Sequence, residues 1–140
     1  MKHAALTAAV LTIFQDEPVD TAMFYDGRLG PSKYGGLFDP LNWGPLKSYY
    51  PFKAFGELYK LGTSVKVDVE DGCGIYCSAA TDGKTSKLMV VNPTDNAVSL
   101  ELDLNSNIID CRVLDVTRNL ENSEFDGVID ADTVLLITVE

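Results

Sequence analysis

Acidic side chains are the residues of this sequence most suited to chemistry, because Asp and Glu total 21 against 11 Lys and Arg. Two carboxyl groups held a short distance apart can act as the general acid and the general base of one reaction. Asp26 is the best-placed candidate, since it follows the mostly apolar residues 19–25 at the expected carboxyl end of a strand. An Asp that begins a turn before Gly27 is the alternative. Glu17 and Asp20 lie at the opposite end of the segment, so no catalytic pair is predicted.

Aromatic and arginine side chains around Asp26 suit a second kind of chemistry, the binding of neutral sugars. Aromatic faces stack against the apolar faces of pyranose rings, and a guanidinium donates forked hydrogen bonds to neighbouring oxygens. The predicted substrate-binding residues are Tyr25, Asp26, Arg28 and Trp43. Ordinary packing of the aromatic rings is the alternative, and it is the favoured interpretation for Phe38.

The sequence carries no pattern for a zinc site or a cofactor. The only histidine is His3, and the three cysteines contain no C-x-x-C spacing. We predict that Cys73, Cys77 and Cys111 are buried free thiols, with a Cys77–Cys111 disulfide as the alternative if their strands are adjacent. No phosphate loop, dinucleotide fingerprint or G-x-S-x-G motif occurs, so no cofactor is predicted.

Three closely spaced carboxylates near the end of the chain raise the question of calcium. Asp126, Asp130 and Asp132 do not follow the D-x-D-x-D-G spacing of a calcium loop. A solvated acidic turn is the favoured interpretation, and no metal site is predicted.

The net charge of −10 restricts the partners that this chain can bind. A phosphate backbone or an anionic membrane would be repelled by such a surface, so neither nucleic acid nor membrane is predicted as a partner. The net charge does not exclude a neutral carbohydrate as a partner.

The N-terminus has some features of a signal peptide, because residues 4–14 are apolar and follow Lys2 and His3. No small-x-small cleavage site follows, and the stretch is too short to span a bilayer. We therefore predict a helix over residues 2–15 and favour a cytoplasmic location. Its apolar face is predicted from the helical spacing of Leu6, Val10, Ile13 and Phe14.

The first 62 residues are predicted to form a helix, a strand, a loop and a second helix. Pro18 ends the first helix, and residues 19–25 have the composition of a buried parallel strand. A Gly- and Pro-rich loop leads to a helix over residues 47–61, which Ser48 could cap and Gly62 would end. The predicted apolar face of that helix consists of Phe52, Phe55, Leu58 and Tyr59.

Residues 63–140 have the pattern of an antiparallel β-sandwich. Apolar and polar residues alternate along residues 98–104, which is the period of a half-buried strand. The other predicted strands cover residues 65–70, 75–81, 87–92, 108–116 and 133–139, with a weaker candidate around Phe125. The fold class is therefore mainly β, with about six to eight strands.

Three motifs of the first half and one of the second resemble a known group of enzymes. They are M-F-Y-D-G-R, Y-G-G-L-F-D-P, K-S-Y-Y-P-F-K-A-F-G-E-L-Y-K-L-G and, later, L-M-V-V-N-P-T. This series resembles the C-terminal end of family 39 β-xylosidases and related clan-A retaining glycoside hydrolases. The resemblance implies that residues 1–62 are the end of a (β/α)8 barrel and residues 63–140 an accessory β-sandwich domain. It also implies that both catalytic glutamates precede Met1, so that this chain alone is not an enzyme.

The predicted function is therefore that of a non-catalytic C-terminal fragment of a glycoside hydrolase that supports a sugar-cleaving barrel. A free-standing carbohydrate-binding module is one alternative, although Tyr76 and Phe125 are the only aromatic residues after Gly62. The other alternative is one part of a split glycosidase that a second chain completes. A bare strand edge and two apolar helices also predict a homo-oligomer through the N-terminal segment, unless that segment folds onto its own sandwich.

Overall fold

The computed structural model describes residues 1–27, 35–70 and 72–140. Two helices come first, α1 (Lys2–Ile13) and α2 (Tyr49–Tyr59), and eight strands follow. The strands are β1 (Thr63–Val65), β2 (Tyr76–Thr81), β3 (Ser86–Asn92), β4 (Val98–Ser99), β5 (Ile108–Leu114), β6 (Asn119–Asn122), β7 (Val128–Ile129) and β8 (Thr133–Val139). This mainly β composition with eight strands confirms the predicted fold class.

The strands form two antiparallel sheets. Six of them hydrogen-bond in the order β1-β2-β3-β8-β5-β6, and β4 pairs with β7 in a separate two-stranded sheet. Strand β8 lies in the middle of the larger sheet, paired with β3 from Ser86↔Val139 to Asn92↔Thr133. All seven of its residues are buried, because both faces of a central strand are covered.

The larger sheet separates two hydrophobic cores. Met89 and Val91 point to the face that α1 and α2 cover, and Leu88 and Val90 point to the other face, as the two-residue period of a strand requires. The second core is closed by β7 and by the half-buried residues Val98, Leu100, Leu102, Leu104 and Phe125. The predicted alternation over residues 98–104 is thus present, although only Val98–Ser99 form ladder hydrogen bonds.

Helix α1 contacts the sheet through its small residues, so the predicted apolar face was wrong. Its buried residues are Ala4, Ala5, Thr7, Ala8, Ala9 and Thr12. Leu6 is 54% exposed and Ile13 is 39% exposed. Small side chains let the helix approach the sheet closely, and Thr12 Oγ1 lies 3.4 Å from Ser78 Oγ of β2. Bulky side chains on that face would hold the two elements apart.

Helix α2 covers the same face of the sheet as α1. Its buried residues are Pro51, Ala54 and Leu58, whereas Tyr59, predicted to be on the apolar face, is 81% exposed. Ser48 makes no side-chain capping bond. Gly62 ends the helical region as predicted, in a left-handed conformation with φ of +86°. The division into two domains at residue 62 stays a prediction.

Residues 19–25 do not form the predicted strand. Val19 is 41% exposed and Met23 is 91% exposed, and the segment has no ladder partner among the described residues. A strand exists only when a neighbour accepts and donates its backbone hydrogen bonds. The strand β6, by contrast, was not predicted, because Leu120 is the only apolar residue within Asn119–Asn122.

The three cysteines are free thiols, but only Cys111 is buried as predicted, whereas Cys73 and Cys77 are half-buried. Cys77 lies on β2 and Cys111 on β5, with β3 and β8 between them. Four strands in a row place the outer two roughly 14 Å apart, so the alternative of a Cys77–Cys111 disulfide is wrong. Burial raises the pKa of Cys77 to about 12, which keeps that thiol protonated.

Candidate functional site

The predicted sugar-binding residues occupy two segments that precede α2. Tyr25 is 64% exposed and Trp43 is 69% exposed, whereas Asp26 is only 6% exposed. The peptide bond between Tyr25 and Asp26 is cis. Arg28, the fourth predicted residue, lies outside the described residues.

The beginning of α2 brings the two segments side by side. The Phe24 ring packs edge-on against Phe52 with 5.1 Å between centroids, and the Phe38 ring packs on Tyr49 at 5.6 Å. Tyr49 and Phe52 are three residues apart and are therefore neighbours on the helix surface. A Cβ atom at Gly27 would lie 3.7 Å from Leu37 Cδ1, which is a second point of approach between the segments.

The loop that carries Trp43 is closed by its own hydrogen bonds. Leu46 N donates to Leu37 O at 2.9 Å and Asp39 N donates to Gly44 O at 2.8 Å. The Asp39 carboxylate accepts from Leu41 N at 2.7 Å. Trp43 adopts a φ of +64°, and its N–H donates to Asp39 O at 2.9 Å. These bonds fix the backbone that presents the indole to solvent.

This arrangement suits binding more than bond cleavage. The two exposed aromatic rings can contact the apolar face of a sugar. Both carboxylate oxygens of Asp26 are buried within the chain, so they are not placed to contact a sugar directly. Hydrolysis would need a second carboxyl group at a suitable distance from Asp26. Glu57 and Asp115 have lowered pKa values and are engaged elsewhere.

Glu57 lies at the centre of an ion cluster that sequence reasoning did not find. Arg112 Nη1 and Nη2 donate to its two oxygens at 3.0 and 2.5 Å, and Lys87 Nζ donates at 2.5 Å. The bonds from Arg112 in particular lower the pKa of Glu57 to about 2. Because Glu57 is on α2, Lys87 on β3 and Arg112 on β5, the cluster attaches the helix to the sheet. Such long-range pairing leaves no local signal in a sequence.

Asp115 is likewise an ionised acceptor. Burial alone would raise its pKa, but hydrogen bonds from Arg118 and Thr117 hold it at about 2. A general acid of a glycosidase needs a raised pKa instead. Neither Glu57 nor Asp115 therefore has the electrostatic environment of a catalytic acid.

Asn92 is the second feature that sequence reasoning did not interpret, although it stands in the N-P-T part of the fourth motif. Its side chain is fully buried, and Nδ2 donates to the carbonyls of Asn96, Ile129 and Asp130 at 2.8, 3.1 and 3.0 Å. Its Oδ1 accepts from Thr94 N and Oγ1. The amide thus joins the end of β3 to the segment between β7 and β8.

The carboxylates considered for calcium occupy a turn region. Asp126 Oδ1 accepts a hydrogen bond from Val128 N at 3.1 Å. Within residues 1–27, 35–70 and 72–140, no group of three His, Cys, Asp or Glu side chains is placed to hold a metal ion. No helix in those ranges is long and apolar enough to cross a bilayer.

Comparison with known proteins gives structural matches but no sequence matches. No family model and no curated protein sequence matches this chain. The structure is similar to a family 30 endoxylanase from Clostridium papyrosolvens C71, with a TM-score of 0.59 and 16% identity over 74% of this chain. It is also similar to the family 30 subfamily 8 xylanase Xyn30A from Clostridium acetobutylicum, with a TM-score of 0.58 and 18% identity over 75% of this chain.

A glucosidase from Croceicoccus marinus is similar over 99% of this chain, with a TM-score of 0.72 and 14% identity. The chain spans 30% of the length of each xylanase and 42% of the length of the glucosidase. None of the three is described as a family 39 enzyme. The resemblance of this sequence to family 39 in particular therefore stays a prediction. At this level of identity the likeness concerns the fold, and the fold of this chain is that of a part of these glycoside hydrolases.

Proposed function

We propose that this chain is a non-catalytic part of a glycoside hydrolase, in which residues 1–62 dock against a sugar-cleaving barrel. The observation that carries the proposal is the match of 99% of this chain to only 42% of a glucosidase. The remainder of such an enzyme has room for the catalytic barrel.

The distribution of exposed apolar side chains supports a docking role for the first 62 residues. The six most exposed large apolar residues of the described chain are Met23, Leu41, Tyr59, Val116, Trp43 and Tyr25. Five of these six precede residue 63. Apolar surface of this kind is characteristic of an interface with another protein unit.

The exposure of Tyr25 and Trp43, on two neighbouring segments, supports a supplementary role at the edge of the barrel site. The exposed rings would contact sugar units beside the scissile bond. A catalytic pair would come from the barrel. Arg28 belongs to the same proposal from the sequence alone.

Hydrolysis assays test the non-catalytic role directly. The isolated chain is incubated with xylan and with a panel of aryl-xylosides and aryl-glucosides. We expect turnover no faster than in buffer, because both catalytic carboxylates would belong to the barrel. Turnover that Asp26→Asn abolishes and that Asp39→Asn leaves intact would contradict the proposal.

The split glycosidase is a second candidate, favoured by the same exposed surface. In this case the barrel is a separate chain. A tagged copy of the present chain, expressed in the organism that encodes it, should co-purify with hydrolase activity. Met23→Asp should remove that activity by placing a charge in the interface. Val116→Asp is the matched control, since Val116 is also strongly exposed but follows β5. Co-purification that resists Met23→Asp and Leu41→Asp would count against docking through residues 1–62.

A further inference from the structure

Residues 65–70 form an extended segment at one edge of the large sheet. Strand β1 is the outermost strand of that sheet and pairs with β2 on its inner side. Its last residue, Val65, lies opposite Ala79 of β2. Within the part of the chain that the structure describes, residues 66–70 have no ladder partner. The segment thus has the strand pattern that the sequence predicts over residues 65–70, but it lacks a neighbouring strand for most of its length.

The side chains of this segment alternate between an apolar face and a charged face. Val67 packs against the core on the face of the sheet that is turned away from α1 and α2. Val65 is on the same face, because Ala79 opposite it belongs to that core. Lys66 Nζ lies 2.7 Å from Asp68 Oδ1, so these two side chains share the other face, as residues two apart on an extended chain do.

The apolar face is only partly covered at this edge. Val65 is 40% exposed and Val69 is 38% exposed. The side chains of Lys66 and Asp68 are 84% and 85% exposed. An edge of this kind is a template for another strand, unless charged side chains repel that strand. The order of the charges therefore decides whether a second strand is repelled or attracted.

The order of residues in V-K-V-D-V is complementary to itself in an antiparallel pairing. When Val67 of two copies face each other, Lys66 of each copy lies opposite Asp68 of the other. Val65 of each copy then lies opposite Val69. Opposite charges and β-branched side chains are favourable cross-strand pairs. A shift by two residues would place Lys66 opposite Lys66 or Asp68 opposite Asp68, which is unfavourable, and a shift by one residue would mix the two faces.

We propose that residues 65–69 are an interface through which two copies of this chain join their large sheets, antiparallel and with Val67 at the two-fold axis. The interface does not involve residues 1–62, so it does not depend on the proposed function. Five residues of a strand span about 17 Å, and the buried area is well below the roughly 800 Å² per partner of a standard interface. The association is therefore weak, with a dissociation constant of about 0.1–1 mM.

Charge reversal at the two positions tests this interface, with sedimentation equilibrium of the full chain from about 10 μM to about 1 mM as the measurement. The parent chain for this test carries Met23→Asp and Leu41→Asp, which remove the contribution of the exposed apolar surface of residues 1–62. We expect its mass to rise with concentration from the 15.2 kDa of one chain towards twice that value. Lys66→Asp and Asp68→Lys should each weaken the association about tenfold, because each variant places like charges opposite each other.

An equimolar mixture of these two variants distinguishes pairing between chains from the ion pair within one chain. Lys66→Asp carries two carboxylates at these positions and Asp68→Lys carries two ammonium groups, so each variant complements the other and repels itself. We expect the mixture to regain the association of the parent, although the ion pair within each chain stays broken. Lys2→Asp and Asp95→Lys are the matched controls, because they make the same charge changes in another exposed ion pair. They should associate like the parent, alone and mixed.

Three results would overturn the proposal. The first is a parent that stays monomeric up to about 1 mM. The second is a mixture that associates no more than either variant alone. The third is an equal loss of association in Lys2→Asp or Asp95→Lys, which would assign the effect to net charge. The test measures neither hydrolysis nor docking to a barrel, so failure of this inference and failure of the proposed function are distinguishable.

Discussion

At the residue scale, the buried amide of Asn92 joins more separate segments than any single side chain of the candidate site. Its Nδ2 reaches three carbonyl oxygens and its Oδ1 accepts from Thr94. Replacement by alanine leaves buried carbonyls without donors, each a cost that water does not relieve.

We therefore expect Asn92→Ala to lower the free energy of unfolding by about 2–3 kcal/mol, measured by urea denaturation. Asn96→Ala is the control, because only the backbone of Asn96 takes part in this network and its side chain is exposed. Equal midpoints for Asn92→Ala and the parent would show that the network contributes little.

The ion cluster of Glu57 makes stability depend on pH. Its pKa is lowered from 4.5 to about 2 in the folded protein, so its contribution is complete above about pH 4.5 and is lost as the pH falls towards 2. Glu57→Gln should cost roughly 1–3 kcal/mol at neutral pH after allowance for partial exposure. The difference between parent and variant should shrink below pH 4.5 and vanish near pH 2.

Thermal melts of the parent and Glu57→Gln across this pH range check the prediction. Glu101→Gln is the matched control, since Glu101 is exposed. A parent–variant difference that stays constant between pH 7 and pH 2 would mean that ionisation of Glu57 is not what stabilises the fold.

The residues of the candidate site could be selected from the sequence, but their neighbours could not. Asp26 stood out by its position after an apolar segment, and Tyr25 and Trp43 stood out by type. Their two segments rest on Phe52 and Tyr49 through Phe24 and Phe38, an arrangement that no local pattern encodes. The carboxylate–guanidinium pairing of Glu57 joins residues 55 positions apart and is invisible for the same reason.

At the element scale, strands were predictable where both faces are buried or where burial alternates. Strand β8 reads T-V-L-L-I-T-V and is buried at every residue. Residues 19–25 have a comparable composition but no strand neighbour in the part of the chain that the structure describes, so composition alone predicted them wrongly. Periodicity reports which side chains prefer burial, whereas a ladder also requires a partner.

Helix α1 shows a second limit of such patterns. The helical spacing of large apolar residues predicted that their face is buried. In the structure the alanine-rich face is buried instead. In close helix–sheet packing, the side-chain volume that fits decides the orientation as much as hydrophobicity does.

We expect Ala8→Leu in α1 to lower the free energy of unfolding by about 1–3 kcal/mol, because Ala8 is fully buried and added methylenes strain a filled core. Leu6→Gln should change it by less than about 0.5 kcal/mol, since Leu6 is 54% exposed and the two residues have similar helix propensity. Denaturant midpoints of both variants check this. A larger loss for Leu6→Gln than for Ala8→Leu would restore the orientation that the sequence predicted.

At the scale of the whole molecule, the two helices and the large sheet share one core, which includes Ala5, Ala54 and Met89. This packing accounts for the small-residue faces of the helices. The outward surface of residues 1–62 does not belong to this core, because Met23 and Leu41 are each about nine-tenths exposed. Either a barrel or a second copy of the chain could cover it.

For the chain by itself, we predict self-association through this outward surface, because large exposed apolar patches are rare on soluble monomers. Light scattering at micromolar concentration should give a mass above the 15.2 kDa of one chain, with a symmetric dimer as the commonest arrangement. The double variant Met23→Asp/Leu41→Asp should move the mass towards the monomer, since each charge would have to be desolvated in the interface. Val116→Asp alters an exposed apolar residue after β5 and should leave the mass unchanged. A clean monomer for the parent chain would refute self-association, while docking of the same surface against a barrel would remain to be judged by the co-purification experiment.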